Sequence, residues 1–491
     1  MNTKHISLEI PEEVSIVSRV LSSATFENYL VGGCVRDLLL SRAPKDYDLT
    51  TIASPEEITP LFEHTFYEND YGTVGIVNEE PRLESLRVIE VTPYRSESAY
   101  SDFRRPDAVT WAKTLEEDLK RRDFTMNAIA YDIEKKELID PFNGQDDLEK
   151  KLIRTVGDPG VRFSEDALRM IRALRFAAEL GFAIEEETLA AILEHKDLLK
   201  HISKERIKDE LIKIVMSDAP SIALGLATQL GLLEYITPEF LKGVGMEQNQ
   251  AHAYTVWEHL LRSLDHAAKK KFPLHVRLAA LFHDVGKPDT RVWKNDQWTF
   301  YGHEVVGAKI TKKVLMELAF PKEIVEKVTK LVRWHMFFSD TEQITLSAVR
   351  RMVRNVTPEL IWDLMDVRAC DRIGTGRPKE SPYRLRKYHA MIEEVMRNPI
   401  SVKQLRMNGG EIMTVTGAPA GPHIGFILEI LLSEVLEDPT LNEEKHLKTR
   451  VLELHSLPKE ELARLGKEAR AKNELEDEKE SEKINQKFGV K

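Results

Sequence analysis

The chain contains very little cysteine: Cys34 and Cys370 are the only two in 491 residues, and they lie far apart. Such a sequence cannot build a disulfide framework, and it fits a reducing cytoplasm best. No apolar run reaches the roughly 18 residues that span a bilayer. The N-terminal segment lacks the basic start and apolar core of a signal peptide. We therefore expect a cytoplasmic protein that does not contact a membrane.

The chain also lacks the excess of positive charge that is typical of nucleic-acid binders, because its formal net charge is −11. RNA binding depends on local basic stripes, however, and two segments have that character. One extends from Arg162 to Arg175 and the other from Lys379 to Arg406. On charge alone, a solvated helix face is the simpler interpretation of both.

The pattern of apolar residues changes along the chain, and the length predicts about two to four domains. Short β-rich runs occupy residues 29–31, 47–50, 74–77 and 87–92, and all lie before about residue 155. Beyond that point the periodicity is helical almost throughout. From about residue 458 onward Glu and Lys predominate, so this end is either a lone exposed helix or disordered.

Two aspartates stand on one predicted strand near the N-terminus. Side chains alternate faces along a strand, so Asp46 and Asp48 share one face and Tyr47 and Leu49 the other. Two carboxylates so close together repel unless a cation lies between them, and oxygen ligands of this kind suit Mg²⁺ together with a triphosphate. A polar turn is the alternative interpretation of such a pair considered by itself.

A pair of glycines precedes these aspartates by about 13 residues. Gly32 and Gly33 lie between an apolar run and a helix-like segment that contains Arg36. Glycines at such a junction let backbone N–H groups approach a phosphate, and Arg36 is within reach of the same phosphates. A glycine nest followed by a carboxylate pair predicts a nucleotide-binding site.

Three motifs now resemble a known family. Three segments are similar to successive motifs of the bacterial-type (class II) tRNA nucleotidyltransferase and poly(A) polymerase family. In chain order they are GGCVRDLLLSRAPKDYDL, RRDFTMNAIAYD and SEDALRMIRALRFAAELGF. The resemblance implies that Gly33 and Arg36 contact the triphosphate and that Asp46 and Asp48 are catalytic and hold Mg²⁺. It also makes Glu90 the candidate for a third carboxylate. The ribose would be bound by Arg122, with Arg121 as an alternative, and supported by Asp123 and Asn127.

The third motif predicts a helix from about 165 to 180, with Ser164 as its N-cap and Gly181 just beyond its C-terminus. Polar residues spaced by three form one ridge on this helix. By the resemblance, Asp166 and Arg169 select C and A over G and U. Arg172 and Arg175 either reach phosphates or hold that pair in place. A salt-bridged amphipathic helix is the alternative for this segment alone.

The family divides by product. The segment ENDYGTVGIV resembles the strand of CCA-adding members, and TPYRSESAYSDFRRPDAV resembles the loop that those members need to switch from C to A. We therefore favour CCA addition over synthesis of a poly(A) tail, and addition of the final A alone stays open. The loop residues that fit the pattern are Arg95, Glu97, Tyr100, Asp102, Arg105 and Pro106.

A histidine-rich region further along resembles the HD phosphohydrolase superfamily, through LFHDVGKP and its neighbours. The resemblance implies one metal set of His259, His283, Asp284 and Asp371, extended by His303 and His335, with Lys287 as a phosphate ligand. Imidazole and carboxylate ligands suit a transition metal such as Ni²⁺, Mn²⁺ or Co²⁺. A set of structural histidines is the alternative.

Together these expectations describe an α+β protein. An α/β nucleotidyltransferase palm (1–155) is followed by an all-α neck (156–250), an HD domain (251–375), a helical tail (376–457) and the charged end (458–491). The neck would select nucleotides and, like the tail, bind RNA. The expected partners are the tRNA 3′ end, ATP and CTP, while the oligomeric state is open. The rival functions are poly(A) synthesis, and HD hydrolysis assisted by a nucleotide- or RNA-binding module.

Overall fold

The structure is a computed structural model that describes residues 3–67, 72–97, 109–248, 253–337, 344–396 and 405–471. The chain divides into two units, Met1–Pro238 and Glu239–Lys491. Each unit carries one of the two groups of chemically active residues that the sequence predicts. None of the described helices is long and apolar enough to cross a membrane.

The first unit is built on a mixed sheet. Its order is β1-β10-β9-β2-β3-β6-β5-β4, in which only the neighbours β3 and β6 run parallel. β7 and β8 form a separate antiparallel pair, and β11 pairs with β12 in parallel. The strands are β1 Thr3–His5, β2 Asn28–Val31, β3 Asp48–Thr51, β4 Thr65–Tyr67, β5 Val74–Val77, β6 Val88–Pro93, β7 Arg95–Glu97, β8 Val109–Trp111, β9 Ala130–Asp132, β10 Glu137–Ile139, β11 Leu152–Ile153 and β12 Ala183–Ile184.

Helices surround this sheet and then continue the chain without it. Leu30, Leu49 and Val91, from three adjacent strands, are fully buried and place the core of the unit against the middle of the sheet. The helices are α1 Glu12–Ser23, α2 Gly33–Leu39, α3 Pro55–Ile58, α4 Leu115–Lys120, α5 Gly144–Lys150, α6 Pro159–Glu165, α7 Leu168–Leu180, α8 Glu186–His195, α9 Lys204–Met216, α10 Pro220–Gln229 and α11 Leu233–Ile236. Among them α7 packs against α9 and α10.

Within its described residues, the second unit is helical apart from one hairpin. The hairpin strands are β13 Val292–Lys294 and β14 Gln297–Thr299, which pair with each other. The helices are α12 Val256–Lys269, α13 Leu274–Phe282, α14 Lys287–Thr290, α15 His303–Glu317, α16 Lys322–Trp334, α17 Leu346–Val356, α18 Ile361–Gly374, α19 Tyr383–Met396, α20 Gly409–Thr416, α21 Pro422–Glu437 and α22 Glu444–His455.

The four strands predicted from the sequence are confirmed as β2, β3, β5 and β6, and the mixed α and β architecture is confirmed as well. The expectation for the charged end is wrong for its first part. Residues 459–471 are helical, and Leu462 is 3% exposed within an apolar cluster that includes Leu447 and Val451. Leu462 therefore anchors this segment, which is neither lone nor disordered.

Several predicted residues lie outside the described part of the chain. They are Tyr100, Asp102, Arg105 and Pro106 of the predicted switching loop, and Arg397 and Lys403 of the second basic segment.

Candidate active sites

The aspartate pair lies at the start of β3. Tyr47 and Leu49 are 6% and 0% exposed, whereas Asp46 is exposed and Asp48 is half-buried. This alternation puts both carboxylates on the face away from the core. Burial raises the pKa of the Cys34 thiol to about 12, and the charges of Asp48 and Asp46 add to that rise. The predicted pair thus lies on one side of the chain at the start of β3.

A third carboxylate stands beside them. β3 and β6 are parallel neighbours, and Asp48 is the register partner of Glu90. Ile89 and Val91 are buried while Glu90 is half-buried, so its side chain lies on the face opposite the core. Register partners on adjacent strands are about 5 Å apart. Carboxylates at this spacing favour a bound divalent cation, and the oxygen-only donor set suits Mg²⁺.

The Gly32 turn brings backbone against this cluster. Gly32 has φ +81° and ψ −138°, a conformation that favours glycine, and α2 starts at the next residue. A Cβ on Gly32 would lie 3.0 Å from Nη1 of Arg122 and 3.7 Å from Oδ2 of Asp48. The glycine therefore leaves a gap between a cation and a carboxylate that a side chain would fill. This gap suits a phosphate with its bound metal.

Two consecutive arginines hold one buried carboxylate. Nε of Arg121 donates to Oδ1 of Asp118 over 2.9 Å, and Nη2 of Arg122 donates to Oδ2 over 3.2 Å. Burial raises the pKa of Asp118, but the two guanidinium groups outweigh it and the net pKa is lowered. Of the two arginines, Arg122 is the one against Gly32, which favours it as the ligand of the nucleotide.

A chain of hydrogen bonds links Arg36 to α7. Nη1 of Arg36 donates to Oδ1 of Asn127 over 2.8 Å, and Nδ2 of Asn127 donates to Oδ1 of Asp123 over 3.0 Å. Arg172 then donates to Oδ2 of Asp123 through Nε and Nη2, over 2.9 and 2.6 Å. Burial raises the pKa of Asp123, but Arg172 and Asn127 lower it well below its ordinary value. The predicted phosphate ligand Arg36 therefore belongs to one network with Asp123 and Asn127, the predicted supports of the ribose site.

The nucleotide-selecting segment is not the single helix that the sequence predicts. α6 ends at Glu165, Asp166 has an extended conformation (φ −143°, ψ 100°), and α7 begins at Leu168. Asp158 caps α6 by accepting from the amide of Val161, so Ser164 lies inside a helix rather than before one. The predicted helix start was therefore wrong, because Asp158 and Pro159 begin a helix earlier. Gly181 ends α7 as expected, with φ 68°.

After this break the side chains of the predicted selector pair have different partners. Asp166 accepts from Nη1 and Nη2 of Arg206 over 3.0 and 2.7 Å, whereas Arg169 donates to Oε2 of Glu165 and to the carbonyl of Arg121. The common ridge expected from the spacing of three is thus absent at its first member. Arg206 was missed in the sequence, where KERIKDEL on α9 has the appearance of a solvated helix face.

Arg175 forms a buried ion pair that joins α7 to α9. It is 7% exposed, and its Nε donates to Oε2 of Glu210 over 2.7 Å. Glu210 is 2% exposed and lies 3.6 Å from Nη1 of Arg172 as well. Burial raises the pKa of Glu210, but Arg175 and Arg172 outweigh it and lower the net pKa. These ion pairs join α7 to α9 through Arg175, and both predicted roles of Arg172 and Arg175 stay open.

The second unit gathers the predicted HD residues at one point. All six are at most 8% exposed, although five different helices or their ends provide them. His259 lies on α12, His283 and Asp284 follow α13, His303 begins α15, His335 follows α16 and Asp371 lies on α18. The described residues form two candidate metal groups, His259 with His283 and Asp284, and Asp284 with His303 and His335.

Asp284 is common to both groups. Its Oδ2 lies 3.1 Å from Nε2 of His259 and 3.3 Å from Nε2 of His283. Its Oδ1 lies 3.1 Å from Nε2 of His303 and 3.6 Å from Nε2 of His335. A carboxylate with one oxygen toward each histidine pair has the position of a bridging ligand.

The histidine tautomers are fixed by backbone carbonyls. Nδ1 of His283, His303 and His335 lies 2.9, 2.6 and 2.7 Å from the carbonyl three residues earlier. With Nδ1 donating to that carbonyl, the neutral form of each ring directs its Nε2 lone pair to the centre, as in metal-binding histidines. Nε2 of His303 and of His335 are 3.2 Å apart. Two lone pairs at that distance need a cation or a proton between them, and ligands about 2.1 Å from one metal have this separation.

The charge of the centre also fits a cation. Burial lowers the pKa of His335 to about 4, so it is neutral near pH 7. Burial lowers the pKa of His283, but Asp284 and Asp371 outweigh burial and raise it to about 10. The centre therefore attracts a positive charge, which a metal ion can supply in place of that proton. Nζ of Lys287 lies 2.6 Å from Oδ2 of Asp284, and Lys287 is 5% exposed. A lysine in this position can meet a phosphate beside the metal.

Comparison with known proteins gives three family matches. The Poly A polymerase head domain matches residues 28–154, and the probable RNA and SrmB-binding site of polymerase A matches residues 181–242. The HD domain matches residues 250–373. The three matched regions thus contain the carboxylate cluster, α9 and the histidine centre.

Individual relatives cover nearly the whole chain. The CCA-adding enzyme of Geobacillus thermodenitrificans (strain NG80-2) is 34% identical over 444 residues, 89% of this chain and 95% of the relative. That of Geobacillus sp. (strain WCH70) is 49% identical over 221 residues, 45% of this chain and 53% of the relative. A crystal structure of the Bacillus stearothermophilus CCA-adding enzyme in complex with CTP has a TM-score of 0.66 and 28% identity, and covers 90% of this chain and 96% of that chain.

Proposed function

The chain belongs to the family of CCA-adding enzymes, which are nucleotidyltransferases, and from this premise we propose that it adds C, C and A to the 3′ end of tRNA from CTP and ATP. The supporting observation is that one unit contains three arrangements. Asp48 is the register partner of Glu90, the Gly32 turn lies against Arg122, and Asp166 accepts hydrogen bonds from Arg206. They correspond to a metal site, a phosphate site and a base-selecting carboxylate.

The catalytic roles follow from the chemistry of nucleotidyl transfer. Asp46, Asp48 and Glu90 would hold Mg²⁺. When bound, Mg²⁺ makes a 3′-hydroxyl more acidic and neutralises charge on the triphosphate. The Gly32–Gly33 backbone and Arg36 would bind that triphosphate and set its orientation relative to the carboxylates, while Arg122 would bind the ribose.

Base selection rests on the carboxylate of Asp166. Cytosine and adenine present an amino group, a donor, where uracil and guanine present a carbonyl oxygen. A carboxylate at that edge accepts from C and A and repels U and G. Asp166 is held by two hydrogen bonds from Arg206, and Arg169 is held by Glu165. We propose that Asp166 and Arg169 contact the base and that Arg206 orients the carboxylate.

We predict that Arg206→Ala reduces the preference for CTP over UTP by about 5- to 150-fold, the range expected for loss of one bidentate contact. The measurement is kcat/KM for each nucleotide on a tRNA that lacks its 3′ end. Lys204→Ala, at an exposed position on the same helix, is the control. Arg206→Lys keeps the charge but not the two-point contact, so an intermediate loss should follow. An unchanged preference in Arg206→Ala would show that Arg206 has no part in selection.

One assay tests the product. A tRNA that ends at the nucleotide before CCA is incubated with CTP and ATP in Mg²⁺, and its growth is followed on a denaturing gel. Addition of three nucleotides, and of two with CTP alone, is the expected result. A long A tail would replace the proposal with poly(A) synthesis. If no nucleotide is incorporated, the remaining hypothesis is that this unit only binds nucleotide or RNA for the HD domain.

We propose a second activity for the other unit, the hydrolysis of a phosphate or a 2′,3′-cyclic phosphate at an RNA end. The support is the donor set of His259, His283, Asp284, His303, His335 and Asp371, which suits Ni²⁺, Mn²⁺ or Co²⁺. When bound, such an ion supplies an activated water. Asp284 and the histidines would hold it, and Lys287 would bind the phosphate.

The two activities are chemically coherent, because synthesis needs a free 3′-hydroxyl. Hydrolysis of a 3′-phosphate supplies one, and so does opening of a 2′,3′-cyclic phosphate by cleavage of its bond to the 3′-oxygen. The test follows release of inorganic phosphate from a 3′-phosphorylated oligonucleotide, and conversion of a cyclic-phosphate end to a 2′-phosphate, in Ni²⁺ or Mn²⁺. Absence of both products would remove this proposal. We further propose that the protein acts in the cytoplasm, and its two free, buried cysteines support a reducing compartment. The palm, neck, HD and tail boundaries remain our proposed division.

A further inference from the structure

The hairpin of the second unit presents an aromatic face to solvent. Trp293 on β13 is the register partner of Trp298 on β14, so both side chains lie on one face. Their ring centroids are 4.9 Å apart at an interplanar angle of 74°. Trp293 is 56% exposed. A large aromatic side chain rarely stays in water without a partner, which points to a binding surface.

Arg291 adds a cation to this face. Its guanidinium carbon lies 3.7 Å from the ring centroid of Trp298. Its Nε is buried and has no hydrogen-bond partner among the residues that the structure describes. A guanidinium stacked on an indole keeps its remaining N–H groups free for phosphate oxygens. The face therefore combines a flat apolar surface with a group that binds phosphate, and Asp296 in the turn is the one acidic residue of the hairpin.

The hairpin is short and rigidly turned. Asn295 and Asp296 connect the strands with φ of 52° and 55°, the values of a two-residue turn that tightly joins adjacent strands. A lone two-stranded hairpin is marginal in water. The Trp–Trp pair and the stacked Arg291 stabilise it, so the exposed face keeps a defined shape.

The hairpin is joined by the chain to residues of the histidine centre at both of its ends. The hairpin follows α14, which begins at Lys287, and leads directly to Phe300. The carbonyl of Phe300 lies 2.6 Å from Nδ1 of His303, and the ring of Phe300 lies 5.6 Å from Nζ of Lys287. Both ends of the hairpin are therefore attached to residues that orient the centre.

We propose that the face formed by Arg291, Trp293 and Trp298 binds the last bases of single-stranded RNA whose terminal phosphate occupies the histidine centre. This inference rests on the proposed phosphohydrolase function. Bases stack on exposed aromatic rings without regard to sequence, and arginine neutralises the adjacent phosphate. A phosphate site and a stacking face on one short segment fit an RNA end better than a protein surface, because the hairpin's aromatic residues are confined to this face and the opposite face carries Val292, Lys294, Gln297 and Thr299.

The test compares two substrates in the full-length protein. Trp293→Ala should raise KM for phosphate release from a short 3′-phosphorylated oligoribonucleotide by about 5- to 100-fold, the effect of one stacked base. KM for p-nitrophenyl phosphate, which has no base to stack there, should stay the same. Trp293→Phe should restore most of the RNA effect. Val292→Thr, on the opposite face of the same strand, is the matched control and should change neither value.

Each other outcome counts against the proposal. Equal changes on both substrates would mean that Trp293 only supports the centre. No change on either, or a change confined to self-association in sedimentation, would assign the face to a protein contact. If the unmodified protein hydrolyses neither substrate, the phosphohydrolase function fails by itself. The stacking face is then judged by the Kd of a labelled oligoribonucleotide in fluorescence anisotropy, where an unchanged Kd in Trp293→Ala overturns it.

Discussion

The variant Asp48→Asn is expected to lose nucleotide addition by about a thousand-fold or more, while the phosphate release that we propose for the second unit is unchanged. Asparagine has the same shape but no charge, so it cannot balance a divalent cation beside Glu90. Loss of the metal removes several kcal/mol of transition-state stabilisation, and each 1.4 kcal/mol is about tenfold in rate. The measurement is single-turnover incorporation of CTP into a tRNA that lacks CCA.

Controls separate loss of chemistry from loss of folding. Asp46→Asn should have a similar effect, because Asp46 lies on the same side of the chain as Asp48. Asp146→Asn, an exposed carboxylate on α5, should retain full activity. The melting temperature and the phosphate release of each variant show whether the chain is folded. If Asp48→Asn kept more than a tenth of the incorporation rate, these carboxylates would not be the metal ligands.

The sequence predicted the parts of the first site that depend on local order. Alternation along β3 follows from the two-residue repeat of a strand, so Tyr47 and Leu49 could be assigned to the core and the two aspartates to the other face. The Gly32 turn is also local. The neighbour of Asp48 is not local, because β4 and β5 lie between β3 and β6 in the chain. Glu90 could therefore be proposed only from family resemblance, and its register appears only in the folded sheet.

The neck shows where spacing fails. Residues three apart share a ridge only within one continuous helix. The backbone is extended at Asp166, so this residue is not part of the helix that contains Arg169. The actual partner of Asp166 lies 40 residues later, on α9. A bidentate ion pair between a break in the chain and a distant helix leaves no periodic trace in either segment. The same holds for Glu210, which appears as a surface residue in KERIKDEL but is buried between two arginines.

The second site was predicted more completely, because its residue types are chemically distinctive. Histidines and aspartates in superfamily order identified all six members before their helices were known to converge. What the sequence did not indicate was the bridging position of Asp284 or the fixed tautomers, since both depend on distances between helices. The aromatic hairpin was also missed. Its tryptophans are five residues apart, and only the two-residue turn places them side by side.

The second large effect is predicted for a variant of the histidine centre. Asp284→Asn should abolish phosphate release, by about a thousand-fold or more, and leave CCA addition intact. Asp284 faces both histidine pairs, so loss of its charge weakens both metal groups at once. The bound metal, measured by mass spectrometry after dialysis against Mn²⁺ or Ni²⁺, should fall in parallel with activity. Asp289→Asn, five residues later and paired with Lys242, is the matched control and should change neither.

Asp284 is also the partner of buried Lys287, and an unpaired buried charge costs about 3–5 kcal/mol, so this variant is destabilised as well. His335→Gln removes one ligand without stranding a charge. It should weaken only the group of Asp284, His303 and His335, and leave the other group with its full set. We expect a partial loss of bound metal in His335→Gln and a complete loss in Asp284→Asn. This result would assign the bridging role to Asp284. Unchanged metal binding and hydrolysis in both variants would instead make this cluster a structural core.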